Sequence, residues 1–216
     1  MTKKIISLLI ALLTLPSLTW AGQIGGFSQN LGGQMLTLTA NIGYESIDVE
    51  TNGLQDDMSS RSFTVTTTYG LSDRLDIFLN LGFADIQDIG SFTGALGTLW
   101  GGGFKYLIMN NTQSDVQLNI NGNVRSFESS DSGQSADYLG GHVAAVISHK
   151  AGNFTPFGGV KLSNADIDLG GTEYESDDNF GLFGGVDYLV NPNVYFTGEV
   201  HIFDETSIYM GVGYNF

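Results

Sequence analysis

The 216-residue sequence contains no cysteine, so neither a disulfide framework nor a thiolate nucleophile or metal site is available to it. Proline occurs only 3 times. With 30 glycines and 12% aromatic residues, that scarcity separates the chain from proline-rich disordered sequences and favours an ordered, sheet-rich protein. Basic side chains are also few, 8 against 23 acids, and nucleic acid is not an expected partner for such a surface. Beyond Gly22 there is no run of 18 apolar residues, which excludes a transmembrane helix from that part of the chain. Helical periodicity is missing as well. No linker-like stretch divides the sequence, and one domain is expected.

What is present begins with an export signal. Lys3 and Lys4 precede the apolar stretch IISLLIALLTLPSL, and Thr19-Trp20-Ala21 forms a cleavage site before Gly22. The apolar run is short and interrupted by Pro16, which suits a signal peptide over residues 1–21 better than a membrane anchor. Its removal leaves 6 bases against 23 acids. Residues 22–34, GQIGGFSQNLGGQ, read as a flexible periplasmic lead-in that can tuck into a bore.

From Met35 to Phe216 one pattern repeats, a run of about ten alternating residues followed by a polar break. It predicts ten strands: 35–46, 61–71, 75–86, 97–108, 115–127, 138–149, 154–164, 179–190, 193–203 and 207–216. One parity of each is apolar, as in Leu36, Leu38, Ala40, Ile42 and Tyr44. The other is small or polar, as in Gln117, Asn119, Asn121, Asn123 and Arg125. A soluble β-sandwich also alternates, with its apolar parity turned into a core. A membrane barrel inverts that arrangement. Few charges on the polar parity, and strands long enough to cross a bilayer when tilted, favour a closed, up-and-down antiparallel transmembrane β-barrel of ten strands, with eight as the alternative. Breaks alternate in length: SDR, KAGN and NP-type turns on one side, longer connections at 47–60, 87–96, 128–137 and 165–178 on the other. Short periplasmic turns and long outer loops fit that plan.

The chain stops on SIYMGVGYNF, an apolar strand end that makes sense where the last strand closes on the first. Here the sequence resembles the Gram-negative outer-membrane β-barrel proteins. Tyr209-x-Gly211-x-x-Tyr214-x-Phe216 is similar to the carboxy-terminal β-signal of that class, and the resemblance implies recognition by the barrel assembly machinery. In size the chain is similar to the small OmpA-type and opacity-type porin families. The resemblance implies an outer-membrane location, lipid and lipopolysaccharide around the wall, and no cofactor. A monomer is expected.

The lumen parity carries Asp76, Lys105 and Asp187 low, Lys161 and Glu199 at mid height, and Arg125, His142 and His201 high. These charges form either a cation-leaning ion path or a salt-bridged plug. Inward glycines, among them Gly43 and Gly213, are expected to widen the bore. Of the 23 acids, 17 fall in the five outer connections, a rim that attracts cations and offers oxygen ligands to divalent ones. Asp166, Asp168 and Asp177 in DIDLGGTEYESD match a calcium loop in part, but no helices flank them and the fifth ligand position is Gly170. No catalytic set is expected. A loop-side hydrolase built on His142 or His201 with Asp204, Glu205 or Asp178 is the weakest alternative, although ten strands is the count in the omptin proteases. His149 reads as a turn residue. A small porin-like or structural surface protein is the first functional expectation, and a loop-mediated surface binder or adhesin the second.

Overall fold

The computed structural model describes residues 28–216. The expected signal peptide, 1–21, and the first six residues of the lead-in lie outside them. The strands in chain order are β1 (Leu36–Thr51), β2 (Leu54–Ser72), β3 (Leu75–Ala84), β4 (Gln87–Ile89), β5 (Phe92–Thr93), β6 (Gly97–Asn111) and β7 (Val116–Asp131). They continue as β8 (Gln134–His149), β9 (Phe154–Leu169), β10 (Thr172–Ser176), β11 (Phe180–Leu189), β12 (Val194–Ile202) and β13 (Thr206–Asn215).

Ten of these close a ring in the order β1–β2–β3–β6–β7–β8–β9–β11–β12–β13, and β13 returns to β1. Every pairing is antiparallel. The wall therefore has ten strands, and the eight-stranded alternative falls. The seam runs from Thr37↔Asn215 to Ser46↔Thr206, and the Phe216 amide donates to the Leu36 carbonyl at 2.9 Å. The apolar ending is thus a paired strand of the wall.

The apolar parity faces out. Ile42, Phe63, Leu79, Leu81, Trp100, Ile147, Leu162, Phe196 and Met210 are all exposed, while Thr39, Asn41, Asn121, Lys105 and Glu199 are buried within the ring. A sandwich would have reversed both groups, so hydrocarbon is the solvent this wall is built for. Tyr69, Tyr106, Phe154, Tyr188, Tyr214 and Phe216 are exposed at the turn end. There Phe154 packs on Tyr188 and Tyr214 on Phe216, each with ring centroids 4.8 Å apart, as an interfacial aromatic girdle does.

The outer connections differ from expectation. Segments 47–60, 128–137 and 165–178 are continuations of the wall strands, turned by Asn52-Gly53, Ser132-Gly133 and Gly170-Gly171. All six turn residues have positive φ, from 48° to 90°, the requirement of the tight hairpin turn whose twist matches its strands. The 10 residues of β13 rise about 25 Å at a 40° tilt, enough for the membrane band. The 19 residues of β2 reach nearly twice as far, so the tall strands build a second storey outside. In that storey β10 bridges β9 and β1 above the short strands β11, β12 and β13.

Inside the second storey the inward parity changes from polar to apolar. Ile47, Val49, Met58, Ile86, Ile89, Phe92, Leu99, Phe127, Tyr138 and Ile167 form one buried cluster, flanked by Leu169 and Tyr174. The β3–β6 connection supplies Ile86, Ile89 and Phe92, where an exposed loop had been expected. The barrel is capped at its hairpin end by a hydrophobic core.

Candidate functional site

Ten strands spaced about 4.8 Å at a 40° tilt give a backbone radius near 10 Å. Side chains from opposite walls meet across such a bore. The inward glycines do not widen it. A Cβ on Gly43 would lie 2.5 Å from the Tyr209 ring, and one on Gly213 would lie 2.2 Å from Tyr195, so these glycines make room for large inward aromatics.

Below the cap, Arg125 Nη2 reaches both carboxylate oxygens of Glu45 at 2.5 Å and the Tyr138 hydroxyl at 3.1 Å. Tyr209 donates to Glu45 Oε2 at 2.6 Å. Both ions of this pair are buried, and Tyr138, stacked on Phe127 at 4.5 Å, joins them to the apolar cap. Glu45 is a lumen charge that the sequence reading omitted.

At mid height Lys161 Nζ lies 2.6 Å from His201 Nδ1 and 2.9 Å from Asp204 Oδ2, and donates to Glu205 Oε1 at 2.8 Å. His201 Nδ1 also lies 2.8 Å from Glu205 Oε1, and its Nε2 meets a Glu199 carboxylate oxygen. Ser163 donates to Asp204, and Ser207 to Glu205 at 2.9 Å. Asp204 and Glu205 were expected on the acidic rim. The short β12–β13 connection instead tucks under β10, and both acids point inward against Lys161. His142 is fully buried and neither ring nitrogen has a hydrogen-bond partner. Asp178, the other suggested partner, is exposed.

Low in the bore, Asp76 stands opposite Lys105 across the β3–β6 pairing, with both residues buried. Asp187, also buried, accepts from the Ser28 amide at 2.9 Å and the Ser28 hydroxyl at 2.5 Å. Asp76 accepts from the Leu31 amide at 2.9 Å. Residues 28–31 of the lead-in thus enter the bore. A cavity of about 20 Å³ between Asn80, Asn123, Arg125 and Tyr209 has room for one water.

Nine further acids form rows on the outer face of the second storey. Glu128, Asp137, Asp168 and Glu173 stand directly opposite one another across β7, β8, β9 and β10. Asp166, Glu175 and Glu50 make a second row across β9, β10 and β1, and Asp48 faces Asp57. Lys105, Arg125 and Lys161 are inside the barrel, and among the described bases Arg61 alone lies at this end, bound to Asp85 at 2.6 Å. Asp166 and Asp168 thus sit on a flat hairpin, and Asp177, beyond it, accepts from Gln55 at 2.5 Å. Among the described residues no three His, Asp or Glu side chains converge on a metal-sized site. Of the expected assembly signal, Tyr209 faces inward, Gly211 packs on Asn41, and Tyr214 and Phe216 face outward. His149 is at a turn, its Nδ1 2.9 Å from the Ser114 carbonyl.

No family model matches the chain, and no curated protein matches it. Among solved structures the chain is similar to the outer membrane protease OmpT from Escherichia coli, at 12% identity and a TM-score of 0.46, with 88% of this chain and 99% of that one covered. It is also similar to the outer membrane protein OprG from Pseudomonas aeruginosa, at 13% identity and a TM-score of 0.39, covering 86% and 97%. Ail, the attachment invasion locus protein of Yersinia pestis, aligns at 14% identity and a TM-score of 0.37, covering 85% and 99%. The closed ten-strand ring and its outward apolar parity make this chain a transmembrane β-barrel.

Proposed function

We propose that this protein is a non-conducting outer-membrane barrel that holds a rigid, acidic β-structured surface outside the cell. The observation that carries the reading is the filling of the lumen at three successive heights. Residues 28–31 cross the turn end, the Lys161 and Arg125 clusters span the middle, and the apolar cluster around Ile47, Phe127 and Ile167 stops the hairpin end. Opening an ion path would require breaking buried pairs and exposing a hydrophobic core, both unfavourable by several kcal/mol. The porin-like branch of the expectation is thereby disfavoured and the structural one favoured. Planar-bilayer recording of the refolded protein tests it. A silent bilayer is expected, and reproducible cation-selective steps would overturn it.

In this reading the turn end faces the periplasm, lipopolysaccharide surrounds the outer half of the wall, and the assembly machinery reads Tyr209, Gly211, Tyr214 and Phe216. The Lys161–His201 cluster is structural filling with no catalytic role. A second reading, a surface binder, is favoured by the acid rows. Like charges held directly opposite one another destabilise a sheet, and here they recur across four strands. A ligand for this face would be basic or bridged by divalent cations. Shortening the β1–β2 and β9–β10 hairpins to the membrane boundary should abolish cell-surface binding of a polycation; undiminished binding would remove this second reading.

A further inference from the structure

We propose that the turn-end vestibule of the lumen is a binding site for a short, bent peptide backbone, occupied in this chain by its own residues 28–34. The wall addresses the main chain of the segment more than its side chains. Asp187 takes the Ser28 amide, Gln117 Oε1 takes the Asn30 amide at 3.1 Å, and Asp76 takes the Leu31 amide. Asn119 Nδ2 donates to the Ser28 carbonyl at 3.2 Å. The side chains contribute the Ser28 hydroxyl on Asp187 and a 3.5 Å contact from Asn30 Nδ2 to the Lys105 carbonyl.

Two buried carboxylates therefore receive backbone N–H groups three residues apart, while wall amides read the main chain between and beside them. Hydrogen bonds to ionised acceptors are the strong class. A site of this kind selects an uncharged stretch with small flanking residues that can bend, and it tolerates variation in its side chains. Small residues are needed at the exit. The Gly32 carbonyl would lie 1.8 Å from a Cβ at Gly70, and Gly32 has φ of +85°.

The occupant is held as a ligand is held. Ser28 to Leu31 join no strand and no apolar cluster, so polar contacts to the wall are what retain them. Asn119 Oδ1 and Asn30 Oδ1 are buried without a hydrogen-bond partner, so the fit is incomplete and a peptide with one more donor would be held better. Covalent attachment at Met35 compensates by keeping the segment at high local concentration. The expected external ligand is a short uncharged segment of another polypeptide reaching this mouth. That the mouth faces the periplasm rests on the proposed membrane placement, but the binding itself does not.

The test uses a chain lacking residues 22–33, refolded in detergent, and a fluorescent peptide of sequence SQNLGGQ. Anisotropy should show saturable binding to the truncated barrel and none to the full chain. Adding Asp76→Asn and Asp187→Asn to the truncated barrel should weaken binding by about tenfold or more, the loss of charge-assisted bonds. A folded truncated barrel that ignores the peptide, or a full chain that binds it equally, would overturn the proposal. If truncation prevents folding, the full chain decides. A cysteine introduced as Gln29→Cys should react with a thiol reagent about tenfold more slowly than one introduced as Gln113→Cys in an exposed turn. Asp76→Asn with Asp187→Asn should remove that protection. Equal rates in the parent background, or protection untouched by the two substitutions, would refute it.

Discussion

Replacing Arg125 with methionine removes one ion of a buried pair and strands the other. Glu45 would keep its bond from Tyr209 at 2.6 Å but lose both 2.5 Å contacts to the guanidinium, and among the described residues no other base pairs with Glu45. Breaking a buried pair by deleting one partner costs about 3–5 kcal/mol. With a urea slope of about 2 kcal/mol/M, the unfolding midpoint should fall by about 2 M. Trp100 is the single tryptophan beyond residue 21 and lies on the exposed wall, so its emission reports unfolding without added probes. Glu45→Gln should cost a comparable amount, because Arg125 is then the stranded ion. The double substitution Glu45→Leu with Arg125→Met should recover most of the loss, since well-packed apolar replacement of a buried pair is near neutral. Single substitutions that each shift the midpoint by less than about 0.5 M, or a double substitution that equals their sum, would refute the view that this pair acts as one unit.

Gly43→Val should lower stability by about 1–3 kcal/mol, because its new methyl groups meet the Tyr209 ring and push that hydroxyl off Glu45; the same Trp100 titration measures it, and an unchanged midpoint would contradict the packing. Ile167→Asp places a charge in the apolar cap, where Ile167 is 1% exposed. External protease should then cut the outer hairpins while the unheated barrel keeps its faster gel mobility, and retained protease resistance would show that the cap is not held by that core. Asp137→Asn relieves a residue facing both Glu128 and Asp168 and should stabilise the hairpins by roughly 0.2–1 kcal/mol. Amide exchange should detect that gain at low salt and lose it near 1 M, where exposed charges are screened; a gain that persists at high salt would argue against like-charge repulsion.

The membrane storey was legible because its code is simple. A lipid-facing Leu79 or Leu81 beside a lumen-facing Asn80 repeats with period two in nearly every strand, and the ten wall strands follow from it. The second storey obeys the same period with its sense reversed. In Ile47-Asp48-Val49-Glu50 the greasy residues point in and the acids out, as in a water-soluble protein, so reading acids as loop markers hid three tall hairpins. The turn dipeptides Asn52-Gly53 and Ser132-Gly133 were the available signal. The low lumen trio Asp76, Lys105 and Asp187 was anticipated from counting along strands. The burial of Asp204 and Glu205 was not, since it depends on β10 passing over the short β12–β13 turn, a long-range pairing that no local pattern encodes. Glu45 escaped notice because it lies at the parity boundary between the two storeys.

The seam between β1 and β13 joins Thr37 to Asn215, nearly the two ends of the described chain. No closed cylinder can exist until β13 has been made, so the growing polypeptide travels with two unsatisfied edges far apart in sequence. Closure of that kind is slow and invites misassociation with other exposed edges. Timing, more than final stability, is what this topology hands over to whatever escorts the newborn chain to its membrane.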